Sequence, residues 1–372
     1  MHSSVIKPEN RDLILREVFQ EFQTEGIFIK GYPFGSGHIH DTFLVETGGT
    51  DNYVLQRLNS RVFKKIPEMQ ENIERVTLHI RRKLQSVKGS DIRRECLNFI
   101  YATNGKTWIK DRSGDYWRLS VFIPDHRTYE TVDSPEKAFE GGKAIGRFQE
   151  MLADLGGQPL HETIPYFHHA GKRLETFNNK INEDPFSRVR SVKNEIEFLL
   201  ERAEKMQIIV RLGNEGRIPQ RIIHYDTKFN NILFDEHDKA LCLIDLDTVM
   251  PGYIHYDFGD AIRTGASISA EDEPDLLKVG MNINLFRSYA EGYLKEIRAT
   301  LNNTEIDYLA FSPMLITYIQ AVRFLTDYID GDKYYKIHYK DHNLVRTKAQ
   351  NQLVRSMEEQ YTGMQKIISD LT

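Results

Sequence analysis

The chain has 372 residues, a formal net charge of −5, 40% hydrophobic and 28% charged residues, a globular balance with length enough for two domains or lobes. The mildly acidic total gives no electrostatic reason to expect a nucleic-acid partner, and no apolar run reaches the roughly 18 residues of a membrane span. Two cysteines without metal-type spacing, Cys96 and Cys242, exclude a disulfide framework, and the N-terminus MHSSVIKPENRD lacks the apolar core of a signal peptide, so the expected location is cytoplasmic.

In chain order, residues 9–24 read as an amphipathic helix with Leu13, Ile14, Val18, Phe19 and Phe22 on one stripe. Residues 27–59 read as strands: IFIKGYPF runs into a Gly-Ser-Gly turn, HIHDTFLVE leads out, and YVLQRL follows the polar turn TGGTDN. A helix is expected over 67–86 with Pro67 near its start, and its Arg81-Arg82-Lys83 run reads as a solvated face. FIYAT, KTWIK and YWRLSVFI read as three further strands divided by Asn104-Gly105 and Ser113-Gly114 turns. Beyond Pro124 the pattern becomes helical: Ser134-Pro135 opens one helix, and long helical patterns recur near 191–210, 282–300 and 304–329, interrupted by a strand pair around 222–246. The expectation is a two-lobed α+β architecture, a small antiparallel-sheet lobe at 1–123 and a larger, mainly helical lobe at 124–372, with a ligand cleft between them.

Residues 222–260, IIHYDTKFNNILFDEHDKALCLIDLDTVMPGYIHYDFGD, concentrate the chemistry. An apolar lead-in delivers His224, Asp226 and Asn231 as H-x-D-x-x-x-x-N, and the strand LCLID ends on Asp245 with Asp247 two residues on. Phosphoryl transfer from a nucleotide asks for these groups in this order: a carboxylate to orient and deprotonate a hydroxyl, then an amide oxygen and a second carboxylate to hold Mg²⁺ against the phosphates. Asp226 is therefore the candidate base, Asn231 and Asp245 the candidate metal ligands, and Asp247 an additional or outer ligand; His224 is expected to support the loop backbone. Gly35, Ser36 and Gly37 form a turn whose N–H groups can approach phosphate oxygens. His38 and His40 leave that turn toward phosphate or acceptor. On the next strand Gln56 or Arg57 is expected to serve the α/β-phosphates, with Glu71 or Glu74 as partner, and the backbone of Val121 and Ile123 is expected to pair with an adenine edge. Asp257 or Asp260, near Arg263, is expected to brace the catalytic loop or bind the acceptor. Arg323, within an otherwise apolar helical run, needs either an internal carboxylate or a substrate oxygen.

These residues resemble the aminoglycoside phosphotransferase and choline kinase superfamily, whose fold is like that of protein kinases. HYDTKFNNILFD and LIDLDTVMPG are similar to its catalytic and metal motifs, and GSGHIHDTFLV, YVLQRLN, DFGDAIRTGAS, RFLTDYIDGDKYY and HNLVRTKAQ look like its anomeric sugar kinase branch, the N-acetylhexosamine 1-kinases. The resemblance implies ATP and Mg²⁺ as co-substrate and cofactor, N-acetylglucosamine or N-acetylgalactosamine as acceptor at its C1 hydroxyl, and Asp226 as base with Asp245 on the metal. It also implies sugar contacts from His38, Arg323 and Tyr334. Gln56 stands where the wider superfamily carries Lys or Arg, as in the sugar-kinase branch. Thr264 stands where an aromatic group would be expected to stack on the sugar. The expected partners are a small-molecule sugar and ATP, with no nucleic acid, membrane or protein partner implied. The rival readings are an amine or aminoglycoside kinase, for which the aspartates at 257, 260, 327 and 330 could serve a cationic acceptor, and a degenerate, non-enzymatic nucleotide-binding module, against which the intact Asp226, Asn231 and Asp245 argue.

Overall fold

A computed structural model describes residues 8–35 and 39–372 of the chain. Among the described residues the elements run α1 Pro8–Phe19, β1 Phe28–Pro33, β2 Asp41–Thr47, β3 Tyr53–Leu58, α2 Ile66–Gln85, α3 Ile92–Glu95, β4 Trp108–Lys110 and β5 Tyr116–Val121. They continue with α4 Pro135–Leu152, α5 Ala170–Glu183, α6 Lys193–Arg202, α7 Ile208–Asn214, β6 Arg221–Ile223, β7 Ile232–Phe234, β8 Ala240–Leu243, β9 Met250–Gly252 and α8 Ile254–Gly265. The last are α9 Ile283–Ile297, α10 Asn303–Asp307, α11 Ser312–Ile329 and α12 His342–Leu371. The chain divides into two compact units, the first reaching to His126 and taking in Leu160–Thr163 and Leu246–Thr248. No helix among the described residues is long and apolar enough to cross a membrane.

The first unit is built on a five-stranded antiparallel sheet of order β1-β2-β3-β5-β4. Its side chains alternate by face, as strand geometry requires. Phe43 and Val45 of β2, Tyr53 and Leu55 of β3, and Trp117 and Leu119 of β5 form one buried cluster with Leu15, Val18 and Phe19 of α1. The opposite face carries a row made by the register itself: Thr42 lies opposite Gln56, and Gln56 opposite Arg118. α1 stops at Phe19 rather than near residue 24, because Phe22 bridges to Ala102. That bridge and the one from Phe99 to Ser120 are all that the expected FIYAT strand contributes.

The second unit is mainly helical, with two short two-stranded ribbons, β6–β9 and β7–β8. Ser134 caps α4 by accepting from the Lys137 N–H at 3.2 Å, as the Ser-Pro pair implies. α4 and α9 approach almost backbone to backbone: a Cβ added at Gly142 would lie 2.1 Å from the Tyr289 carbonyl oxygen, and one at Gly292 would lie 2.0 Å from that of Phe139. The helical run expected over 304–329 is two helices, since Pro313 lacks an N–H and starts α11 rather than continuing α10. α12 carries no clean apolar stripe, because its buried side includes His342, Asn343, Thr347, Gln350 and Asn351. The sheet-based unit and the mainly helical unit together form a protein-kinase-like α+β fold.

Candidate active site

The loop between β6 and β7 is held from beneath by α8. Asp257, fully buried, accepts the backbone N–H of His224 at 2.8 Å and of Tyr225 at 2.7 Å, together with the Gln149 side-chain amide at 2.8 Å. Asp260 accepts the Thr227 N–H at 3.0 Å and is paired with Arg263 at 2.9 Å. These bonds fix a strained turn in which Tyr225 has φ of 68°, a conformation that costs a non-glycine residue roughly 1–3 kcal/mol. Burial pushes both carboxyl groups above their ordinary range, against the pull of the donors around them. His224 turns inward: its Nδ1 accepts the Asp226 N–H at 3.3 Å, and its Nε2 meets the Ile244 carbonyl at 3.0 Å. It organises backbone, as expected.

Asp226, Asn231 and Asp245 are knitted together in this unit. The Asn231 amide nitrogen donates to the Asp226 carbonyl at 2.9 Å and to its Oδ2 at 3.2 Å, which turns the amide oxygen the other way. The Ile244 N–H donates to the Asn231 carbonyl at 3.0 Å, so Asp245, the next residue, is tied to Asn231; its φ of 62° is again left-handed. An amide oxygen and a carboxylate are hard donors of the kind Mg²⁺ takes, and the set fits that ion. Lys228 was not singled out in the sequence. It pairs with Asp226 Oδ2 at 3.2 Å and keeps 40% of its side chain exposed. Burial alone would raise the Asp226 pKa, but Lys228 and His224 hold it below the usual carboxylate range. The signal available for Lys228 was its place two residues after Asp226 within H-x-D-x-K.

In the sheet unit, strand alternation separates Gln56 from Arg57. Arg57, 7% exposed, is consumed by Asp41 at 2.5 Å and Asp115 at 3.2 Å; Gln56 bonds to Thr42 and Arg118 on the other face. The helix glutamates do not reach Gln56: Glu74 takes the Tyr101 hydroxyl and Glu71 meets His161 at 3.0 Å. That corrects the expected pairing of Glu74, since α2 presents it to Tyr101. Asp247 has both carboxylate oxygens engaged, by Arg118 and by His40 Nε2 at 2.8 Å, so no oxygen is left without a protein donor for the metal role expected of it. His40 Nδ1 accepts the Asn59 N–H at 3.0 Å, so the proton sits on Nε2 and His40 donates to Asp247. The Val121 N–H goes to the Asn98 carbonyl at 2.9 Å, and the Ile123 carbonyl to His126 at 2.6 Å. Gly35 has φ of 77° with open space around it; Ser36, Gly37 and His38 lie outside the described residues.

A model of APH, the phosphotransferase enzyme family, matches residues 30–291, which include every group above from β2 to α8. The chain belongs to this family. Among solved structures, this phosphotransferase is similar to an aminoglycoside phosphotransferase from Alicyclobacillus acidocaldarius, at 9% identity and a TM-score of 0.61 over 100% of this chain and 98% of that one. It is also similar to a microcompartment-associated aminopropanol kinase, at 13% identity and a TM-score of 0.58 over 95% of this chain and 98% of that one. A Plasmodium vivax ethanolamine kinase matches at 13% identity and a TM-score of 0.54, over 86% of this chain and 82% of that one.

In the helical unit of the phosphotransferase, Arg323 does not find a carboxylate among the described residues. Its Nη1 donates to the Gln320 side chain at 3.1 Å, and its guanidinium lies 5.0, 5.5 and 5.9 Å from the ring centres of Phe167, Tyr335 and Tyr334. Among the described residues Arg173 donates to the Phe167 carbonyl alone, at 3.0 and 2.9 Å. Burial and then the neighbouring Arg323 bring its pKa down to about 10. The same two causes push His168, stacked on Tyr225, down to about 3, so it is neutral. Tyr334 is 62% exposed. Thr264 returns its hydroxyl to the Asp260 and Ala261 carbonyls at 3.2 and 3.4 Å.

Proposed function

We propose that this phosphotransferase uses ATP and Mg²⁺ to phosphorylate the anomeric C1 hydroxyl of an N-acetylhexosamine, N-acetylglucosamine or N-acetylgalactosamine, giving the sugar 1-phosphate. One observation carries the choice of a neutral sugar over a cationic amine: the balance of charge in the helical unit. The four aspartates that could have met an ammonium are committed internally. Asp257 and Asp260 brace the catalytic loop. Asp327 accepts the backbone N–H groups of Lys333, Tyr334 and Tyr335, and Asp330 pairs with Lys333 and Lys180. Arg323 and Arg173, by contrast, have no carboxylate partner among the described residues, and Arg323 lies among aromatic rings, which suits a polyhydroxyl acceptor rich in oxygen. The motif resemblance to the anomeric sugar kinases points the same way. The aminopropanol and ethanolamine kinases among the similar structures keep the amine reading as the competitor.

In this reading Asp226 accepts the proton of the C1 hydroxyl as that oxygen bonds to the γ-phosphorus and the bond to the bridging oxygen of ADP breaks. An anomeric hydroxyl is more acidic than an ordinary alcohol, so a carboxylate with a lowered pKa suffices as base. Lys228 neutralises one Asp226 oxygen, leaving the other for the hydroxyl, and its half-buried side chain can also meet the transferring phosphoryl group. Asn231 and Asp245 would hold Mg²⁺, which supplies charge neutralisation on the phosphates. Arg323 and Tyr334, neighbours in the helical unit, are the candidate contacts to the sugar.

The test is a ³¹P NMR assay of the purified protein with ATP, Mg²⁺ and N-acetylglucosamine, N-acetylgalactosamine, glucose, galactose, choline, ethanolamine or kanamycin. The expected product signal is phosphorus coupled to an anomeric proton. Phosphate transferred to an amine-bearing acceptor alone would overturn the sugar reading and leave the family assignment in place.

A further inference from the structure

Kinase-like folds commonly set a lysine on the third strand against the nucleotide phosphates, and here Gln56 of β3 stands on the strand where such a group is needed. The neighbouring strands specify what Gln56 does. Thr42, Gln56 and Arg118 form one row across β2, β3 and β5. Arg118 Nε donates to Gln56 Oε1 at 2.8 Å, and Gln56 Nε2 donates to Thr42 Oγ1 at 3.1 Å. A guanidinium only donates, so the amide atom facing it must be the oxygen, and the NH₂ group must face the other way. Arg118 itself cannot turn aside: it is 2% exposed, its two terminal nitrogens grip the Asp247 carboxylate, and its guanidinium lies 5.5 Å from the Phe99 ring centre. Gln56 is more open than Arg118, and among the described residues one of its two amide protons is committed, to Thr42. The cation on β3, Arg57, is held on the opposite face by two aspartates.

We propose that Gln56 and Arg118 together replace the third-strand lysine. Arg118, anchored by Asp247, is a positioning residue that fixes the Gln56 amide with its NH₂ group outward, and that group donates to the α/β-phosphate oxygens of a nucleoside polyphosphate. The inference rests on the nucleotide-binding part of the proposed function and is independent of the acceptor. It also gives Asp247 a place outside the metal shell, as counter-ion of the arginine that orients Gln56.

The experiment is calorimetric titration of the full chain with ADP and with adenosine, each in the presence of Mg²⁺. The variant is the double substitution Arg118→Met with Asp247→Asn, which removes both members of the buried pair so that no stranded charge confuses the result. ADP affinity should fall about 10- to 100-fold, the range of a charge-assisted or well-oriented hydrogen bond, while adenosine affinity stays within about twofold. Adding Gln56→Lys to the double variant should restore most of the ADP affinity, because an ammonium donates in every orientation. An unchanged ratio of ADP to adenosine affinity in the double variant would make Arg118 purely structural and overturn the inference. Wild-type protein with no preference for ADP over adenosine would instead overturn the nucleotide reading of the whole site, and this inference with it.

Discussion

Replacing Asp257 by alanine tests the idea that α8 holds the catalytic loop in place. The carboxylate is buried and receives two backbone N–H groups, from His224 and Tyr225, as well as the Gln149 amide. Each buried donor left unsatisfied costs about 1–3 kcal/mol. The two backbone donors cannot rotate away, whereas Gln149 keeps its Tyr293 contact at 2.6 Å. Removing a carboxyl group whose pKa burial has already raised returns part of the cost. The expected destabilisation for Asp257→Ala is therefore about 3–4 kcal/mol, a large share of the roughly 5–15 kcal/mol that holds an ordinary domain. Asp257→Asn keeps one acceptor and turns an NH₂ toward the other donor, so it should cost about half as much. Both tryptophans, Trp108 and Trp117, lie in the sheet unit, so their fluorescence reports on the wrong part of the chain. Urea unfolding should be followed by helical circular dichroism, with hydrogen exchange at the His224 and Tyr225 amides as a local readout. The reasoning is refuted if Asp257→Ala costs less than about 1 kcal/mol and those amides stay protected.

Three further outcomes follow from the site and the packing. Asp226→Asn should lower kcat by about a hundred- to ten-thousandfold, the range of general-base catalysis, with nucleotide affinity nearly unchanged; steady-state kinetics with retained wild-type kcat would remove Asp226 from the base role. His168 is held neutral, its pKa pushed down from 6.5 to about 3 by burial and then by Arg323. The unfolded chain therefore binds the extra proton first, and stability should fall on acidification below about pH 6.5 at up to roughly 1.4 kcal/mol per pH unit. From pH 6.5 to 5 the wild type should lose about 1.6 kcal/mol more than His168→Gln; equal losses in urea titrations would contradict the assignment. Gly292→Ala places a methyl group against the Phe139 carbonyl oxygen and should destabilise the α4–α9 contact by about 3 kcal/mol. Gly48→Ala, which meets open space, should change stability by less than about 0.5 kcal/mol in the same denaturation assay.

Much of this protein was legible without coordinates because the information is local. Alternation of apolar residues in FIKGYP, DTFLVET and YVLQRL marks strands, and Ser134-Pro135 marks a helix start through its own side chain and ring. H-x-D-x-x-x-x-N followed by LCLID orders three groups along a short stretch; the strand itself stops at Leu243, and the structure links Asp226 to Asn231 and Asn231 to Ile244, the residue before Asp245. What spacing could not decide was partnership between distant segments. Both Gln56 and Arg57 were candidates for the phosphates until the register of β3 against β2 and β5 gave Arg57 to Asp41 and Asp115 and set Gln56 beside Arg118. Glu74 had the right charge on the right helix, but the rotation of α2 hands it to Tyr101. α12 was missed because its buried stripe contains amides and hydroxyls as well as apolar groups. A chain's own pattern determines which face of an element is buried. Only the assembled structure decides which residues, often a hundred positions away, that face will meet, because register and packing are set by all the elements at once.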